Sequence, residues 1–240
     1  MRYSNAKRSL AGISLVLSLT AIVGCSHNVM TTANNSQSDL ITQTQPKTQA
    51  VTMDQLSQAQ IKDLQYLCEE EKLARDVYAV LFDKWQIQAF SNIGSTENRH
   101  IISVQDLAKK YGVPLNDALA AGKFNNAELQ QAYNDLTAKG LQSPEAALKV
   151  GAYIEELDIN DINKMTNEAL PTDIRQTFDW LNMGSRNHLR GFVRSMQNQS
   201  MTYQPQLLTQ AEYEAIINSP QERGGQGQGG GHGQGQRHAY

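Results

Sequence analysis

Four long stretches of the chain carry apolar residues three and four positions apart, and no comparable stretch alternates apolar and polar residues with period two. The first, from about Asp54 to Trp85, sets Ile61, Leu64, Leu67, Cys68, Ala74, Tyr78 and Leu81 on one stripe. The second runs from about Phe90 to Tyr111, where Gly112 and Pro114 stop it. The third opens on Ser143-Pro-Glu, a cap followed by proline in the first turn, and carries Ala147, Val150, Ile154 and Leu157. The fourth starts near Pro171-Thr-Asp and passes through Phe178, Leu181, Leu189, Phe192 and Val193 to about Gln197. Shorter helices are predicted at Asn125 to Lys139 and at Thr209 to Asn218. The expected fold is all-α.

The connections predict the topology. Few residues join the first two long helices, so they are antiparallel neighbours. About 30 residues separate the second from the third, enough to travel the length of a helix bundle. That spacing predicts a four-helix bundle with one long crossover rather than a simple up-and-down one, plus an extra short helix near the end.

Composition narrows the class. The chain has 240 residues with 21 Lys plus Arg against 24 Asp plus Glu, so no basic excess is present to neutralise nucleic-acid phosphates. Two cysteines exclude a disulfide-built scaffold and a Cys-rich zinc module. Eight of the 17 glycines fall after Arg223, which leaves the remainder glycine-poor, as helices require.

The ends divide the chain into residues 1–24, 25–53, 54–219 and 220–240. Arg2, Lys7 and Arg8 precede an apolar run from Leu10 to Val23, a secretory pattern too short for a comfortable membrane span. The junction Ile22-Val-Gly-Cys25 resembles the lipobox of bacterial lipoproteins. That resemblance implies cleavage before Cys25, acylation of Cys25, and attachment to the membrane of the cell envelope through two or more acyl chains. Ser26 after the cysteine implies an outer-membrane address. Cleavage removes three basic residues and takes the net charge from −3 to −6. Residues 25–53, rich in Thr, Gln, Asn and Ser, read as a disordered tether, and the Gly/Gln-rich stretch from 220 reads as a flexible tail. Cys68 is then the remaining thiol, a small core residue by its place on the apolar stripe.

Each long helix puts an acid or a histidine where its apolar stripe should continue. Glu71 lies four after Leu67 and seven before Tyr78; Glu97 and His100 share a face at i and i+3; Glu155 falls beside Leu148 and Ile162, with Glu156 on the polar side; His188 follows Leu181 by seven. Taken singly, a glutamate in the run Glu69-Glu-Glu-Lys72 is ordinarily solvated, and one inward histidine is ordinarily hydrogen-bonded. One such residue or pair on every helix is different. Three carboxylates and two imidazoles converging in a core are costly to bury unpaired, and a cation resolves the cost. These donors suit iron, manganese or zinc, one ion or two.

Glu71-Lys-Leu-Ala-Arg-Asp-Val-Tyr78 is similar to the first-helix pattern of rubrerythrins and ferritins. More narrowly, the segments Glu69 to Tyr78, Ser95 to His100, Ile154 to Ile159 and Gly184 to Leu189 resemble the uncharacterised ferritin-like family numbered 2202 among domains of unknown function. The resemblance spans about Met53 to Ser219 and implies a ferritin-like bundle with Glu71, Glu97, His100, Glu155 and His188 as metal ligands. One position departs: the resemblance calls for Glu three before His188, where this chain has Ser185. Tyr78 becomes a candidate redox or hydrogen-bonding neighbour, alongside its ordinary role as a packed core tyrosine.

Two functions follow as expectations. The first is a lipid-anchored envelope protein with a carboxylate and histidine metal site, oxidase- or peroxidase-like. The second is a non-enzymatic binding or scaffold lipoprotein on the same bundle. Whether the chain is an enzyme is left open at this point. An acylated N-terminus would hinder closure of a ferritin-type storage shell; a homodimer is one assembly to consider, and the oligomeric state is left open.

Overall fold

The computed structural model describes residues 56–116 and 119–223; the proposed acylation site Cys25, the tether and the Gly/Gln-rich tail lie outside the described residues. Within them the chain is an all-α six-helix bundle: α1 Gln58–Trp85, α2 Gln88–Tyr111, α3 Ala127–Gly140, α4 Pro144–Thr166, α5 Thr172–Gln197 and α6 Gln210–Ile217. No described helix is long and apolar enough to cross a membrane.

Local chemistry sets the ends of these helices, with α1 starting four residues after the expected Asp54 and α2 two before the expected Phe90. Ser57 and Gln60 form a capping box at the head of α1, Asn126 caps α3, and Ser143 caps α4 just ahead of Pro144. Between α1 and α2 only Gln86 and Ile87 intervene, with Gln86 in the left-handed region at φ 55° and its side-chain amide donating to the carbonyls of Phe82 and Asp83. α2 ends at Gly112, φ 69°, a conformation that suits a residue without Cβ.

The apolar core falls into two halves. One holds Leu73, Val77, Tyr78 and Leu81 from α1 with Phe90 and Ile93 from α2, Ile154 from α4, and Leu189, Phe192 and Met196 from α5. The other holds Leu64 and Leu67 from α1, Val104 and Leu107 from α2, Ile162 from α4, and Phe178 and Leu181 from α5. Along α1 and α5 the chain passes from the second half to the first; along α2 and α4 it passes from the first to the second. Helices α2 and α4 therefore run the same way, which is what the long connection through α3 accomplishes. The closest packing is within the pairs α1/α2 and α4/α5, with α3 against α1 and α4.

The crossover is tied to α1 by charged side chains. Glu69 accepts the backbone N–H groups of Asn125 and Asn126, at 2.7 and 3.1 Å. Buried Lys72 and Asp76 pair at 2.5 Å; Lys72 also donates to the carbonyls of Ala120 and Lys123, and Asp76 accepts from the Gly122 N–H. Glu156 departs from the expectation of a solvated position. It is fully buried because the segment after α5 folds over it, and its carboxylate accepts the backbone N–H groups of Gln206, Leu207 and Leu208. Cys68 is buried in the second apolar half.

Candidate metal centre

Between the two apolar halves, at mid-bundle, every long helix contributes polar side chains to one layer. Glu71, Glu97, His100, Glu155 and His188 are all buried, and three of them, the glutamates, are entirely so. The turn between α1 and α2 brings Glu71 and His100 level. α2 begins at Gln88, two residues before the expected start, so His100 sits 12 residues into its helix against 14 from Glu71 to the end of α1. Nδ1 of His100 lies 3.1 Å from Oε2 of Glu71 and 2.8 Å from Oε2 of Glu97. Nδ1 of His188 lies 2.8 Å from Oε1 of Glu97 and 3.4 Å from Oε2 of Glu155. The two imidazoles stack with centroids 5.4 Å apart, and Trp180 meets His100 edge-on at 4.9 Å.

These contacts make two buried clusters able to coordinate a metal ion, Glu71/Glu97/His100 and Glu97/Glu155/His188, with the ligand atoms of each within 4.8 Å of one another. Glu97 belongs to both, and its two oxygens divide between the two histidines. Several of these atoms converge without satisfying one another: both oxygens of Glu97, Oε1 of Glu71, Oε2 of Glu155 and Nδ1 of His188 have no hydrogen-bond partner despite full burial. Buried lone pairs that point to a shared space rather than to donors fit a cation, and three carboxylates with two neutral imidazoles are a donor set for iron, manganese or zinc.

Electrostatics agrees with that fit. Burial raises Glu71 to about 7, offset in part by His100. Burial and then the Glu97 charge raise Glu155 to about 7. Burial also opposes the charge on Glu97, but His188 and His100 together overcome it and hold that carboxyl well below the ordinary range. In turn, burial would lower the imidazoles, yet Glu71 and Glu97 push His100 up to about 10, and Glu97 and Glu155 push His188 well up. Protons on the two rings thus stand in for positive charge that a metal would bring, and metal binding would displace them.

The neighbours support the layer. Tyr78, enclosed by Phe90 and Phe192 at centroid distances of 5.9 and 5.2 Å, donates its hydroxyl proton to Oε1 of Glu155 at 2.5 Å. Its phenol is both a core residue and a fixed partner of the site. Ser185 is buried with its hydroxyl turned back to the Leu181 carbonyl at 3.2 Å, so it offers no ligand in place of the missing glutamate. Gly184 leaves space that His100 occupies: a Cβ there would stand 2.6 Å from Cε1 and Nε2 of the ring.

Two acids escaped the sequence reading. Glu70 and Asp158 are fully buried, and none of their four carboxylate oxygens has a hydrogen-bond partner. Burial pushes both well up, reinforced by Asp161 and Glu71 at Glu70 and by Glu70 at Asp158. The signal for them was present in the spacing, since Asp158 follows Glu155 by three and shares its face.

Residues 60–220 match the family described as "Uncharacterized protein domain (DUF2202)". The chain is similar to the uncharacterized protein MJ0754 of Methanocaldococcus jannaschii, 44% identical over 172 residues that cover 70% of this chain and 92% of that protein. Its fold is similar to the crystal structure of hypothetical protein MJ0754 from Methanococcus jannaschii, with a TM-score of 0.68 and 42% identity, covering 70% of this chain and 96% of that one.

Proposed function

The chain belongs to the DUF2202 family, and from that premise and the buried layer we propose that it is a ferritin-like metalloprotein that holds two transition-metal ions, iron or manganese, and has oxidase- or peroxidase-like activity. The observation that carries this reading is the division of Glu97 between two clusters, Oε2 with His100 and Oε1 with His188. Glu97 would be a ligand common to both ions, with Glu71 and His100 holding one and Glu155 and His188 the other. The four long helices with one crossover support the ferritin-like assignment.

When bound, iron or manganese would supply reversible one-electron chemistry toward a small oxidant. The rest is the work of the chain. Two apolar halves above and below the layer keep water from its carboxylates, which strengthens every charge interaction within it. Tyr78 orients Glu155 and holds a proton at Oε1, and the packing of its ring leaves that phenol one orientation. Gly184 and Trp180 set the plane of His100.

The location is part of the proposal. The Arg/Lys start, the apolar run to Val23, the lipobox-like junction at Cys25 and Ser26 after it support a lipoprotein of the bacterial envelope, acylated at Cys25 and addressed to the outer membrane. Ser185 favours one other reading, a non-enzymatic metal-binding or scaffold lipoprotein, because a centre short of one carboxylate has fewer ways to change charge.

Elemental mass spectrometry on tag-free protein tests the central reading: stoichiometric iron or manganese is expected, and protein that stays metal-free after incubation with iron, manganese and zinc refutes it. Consumption of oxygen or peroxide by the loaded protein, against none, separates the enzyme from the binding module.

A further inference from the structure

A cavity reaches the two histidines of the buried layer. It lies between α2 and α5, measures about 340 Å³, and has His100 and His188 in its wall. In both rings Nδ1 faces the carboxylates, so the Nε2 edges are directed away from them. Gly184 and Gly191 line the same cavity, and a side chain at Gly184 would have to displace the His100 ring that forms its inner wall.

The lining carries no carboxylate, ammonium or guanidinium. Ile93, Trp180 and Met183 supply apolar surface, and Asn92, Thr96 and Gln221 supply neutral hydrogen-bonding groups. Each imidazole in the wall is already paired with two carboxylates, so a charged ligand would lose its water there without gaining a free counter-charge, which costs more than the cavity returns. The volume is at the low end of small-molecule sites.

Gln221 reaches the cavity from the far end of the chain. It sits on the short segment that leaves α6, and the next residue is clamped to α5. The Glu222 carboxylate accepts from Arg186 Nε at 2.8 Å and from Arg190 at 2.8 Å. Asn187, itself in the cavity wall, donates its side-chain amide to the Glu222 carbonyl at 3.0 Å and accepts the Glu222 N–H at 2.9 Å. Arg190 also donates to the Ile216 carbonyl and to Ser219. The strap 219–223 is thus held to the rim by side chains of α5, with no helix of its own.

We propose that this cavity is the site where a small uncharged, hydrogen-bonding molecule reaches the two histidines, and that the strap 219–223, latched through Glu222 to Arg186, Asn187 and Arg190, is its lid. The proposal rests on the buried layer being the functional centre. Opening needs only the latch to part, and the bundle is untouched by it.

The test uses metal-free full-length protein at one alkaline pH for all variants and diethyl pyrocarbonate, a small uncharged reagent that acylates the unprotonated imidazole, with His188 and His100 followed by peptide mass spectrometry. Glu222→Gln keeps the shape of the latch and removes its charge, and loss of such an ion pair shifts a local opening by about fivefold. His188 acylation is therefore expected to accelerate about fivefold in Glu222→Gln. Thr96→Trp, which fills the cavity from α2 and leaves the latch intact, is expected to slow it by a similar factor. Rates at His188 that are equal in wild type and both folded variants overturn the proposal, as does faster acylation in Thr96→Trp. Because no metal enters the measurement, its outcome is independent of the metal analysis.

Discussion

Nδ1 of His188 lies 2.8 Å from Oε1 of Glu97, and both side chains are buried. Without a metal the two groups pair as imidazolium and carboxylate, and the same glutamate stands in the same relation to His100 through its other oxygen, so the charge that a cation would supply is carried by ring protons.

Glu97 is therefore the shared element, and its removal should differ in kind from that of its neighbours. Glu97→Gln is expected to hold less than about a tenth of the wild-type metal, whereas Glu71→Gln and Glu155→Gln, each disabling one cluster, retain about half. Metal stoichiometry on the three folded variants, checked by circular dichroism, decides this. Equal loss in all three would show that the clusters act as one indivisible site.

Gly184 and Gly191 lie two turns apart on α5 and should respond oppositely to alanine. A Cβ at Gly184 meets His100 at 2.6 Å, so Gly184→Ala is expected to destabilise by about 1–3 kcal/mol and to weaken metal binding. At Gly191 the nearest atom is Ile93 Cδ1 at 3.5 Å, an ordinary contact, and the gain in helix propensity is worth up to about 1 kcal/mol. Urea denaturation of the metal-free variants measures both signs.

Tyr78→Phe preserves the ring contacts with Phe90 and Phe192 and removes only the donor to Glu155. The expected loss is about 1–3 kcal/mol of stability in the metal-free protein, the usual result of stripping a buried carboxyl of its partner. Metal affinity should fall about tenfold or more, as it does when a ligand's supporting hydrogen bond is lost. A denaturation curve and a competitive chelator titration give the two values.

The latch predicts a pH dependence that is separate from the metal layer. Hydrogen bonds from Arg186 first, then from Arg190, hold Glu222 down at about 2, against an ordinary glutamate value of 4.5. A depressed carboxyl contributes stability that is fully present above its unfolded value and is lost as pH falls through its folded one. The melting temperature of wild type should exceed that of Glu222→Gln by a constant margin above pH 4.5, and the margin should shrink as pH falls toward 2. Partial exposure of the group keeps the effect modest.

Helix positions were legible because each long helix presents one dominant apolar stripe, and α1 and α4 carry their own serine caps. The five centre residues were legible for the same reason: a polar residue on an otherwise apolar stripe breaks the period, and Glu71, Glu97, His100, Glu155 and His188 each do so. Three consecutive glutamates on α1 were harder. Glu69 holds the crossover, Glu70 is buried without a partner and Glu71 joins the layer, three environments within one turn. A helix flanked by α2, α3 and α4 buries more than one stripe, and periodicity reports only the strongest.

Local sequence determined the helices, their ends and the direction of the chain through the bundle, because propensity, capping and periodicity act over a few residues. It also determined that Glu71, Glu97, His100, Glu155 and His188 turn inward, but not that Glu70, Glu156 and Asp158 are buried as well. Only the tertiary structure decided what those side chains meet: that Glu97 splits its oxygens between two histidines, that Tyr78 reaches Glu155 across 77 residues, that Glu156 is covered by the segment at 206–208, and that Glu222 returns to latch α5. Each of these joins atoms far apart in the chain, and their meeting depends on helix depth and rotation, which packing sets to within an ångström and a repeating pattern does not specify.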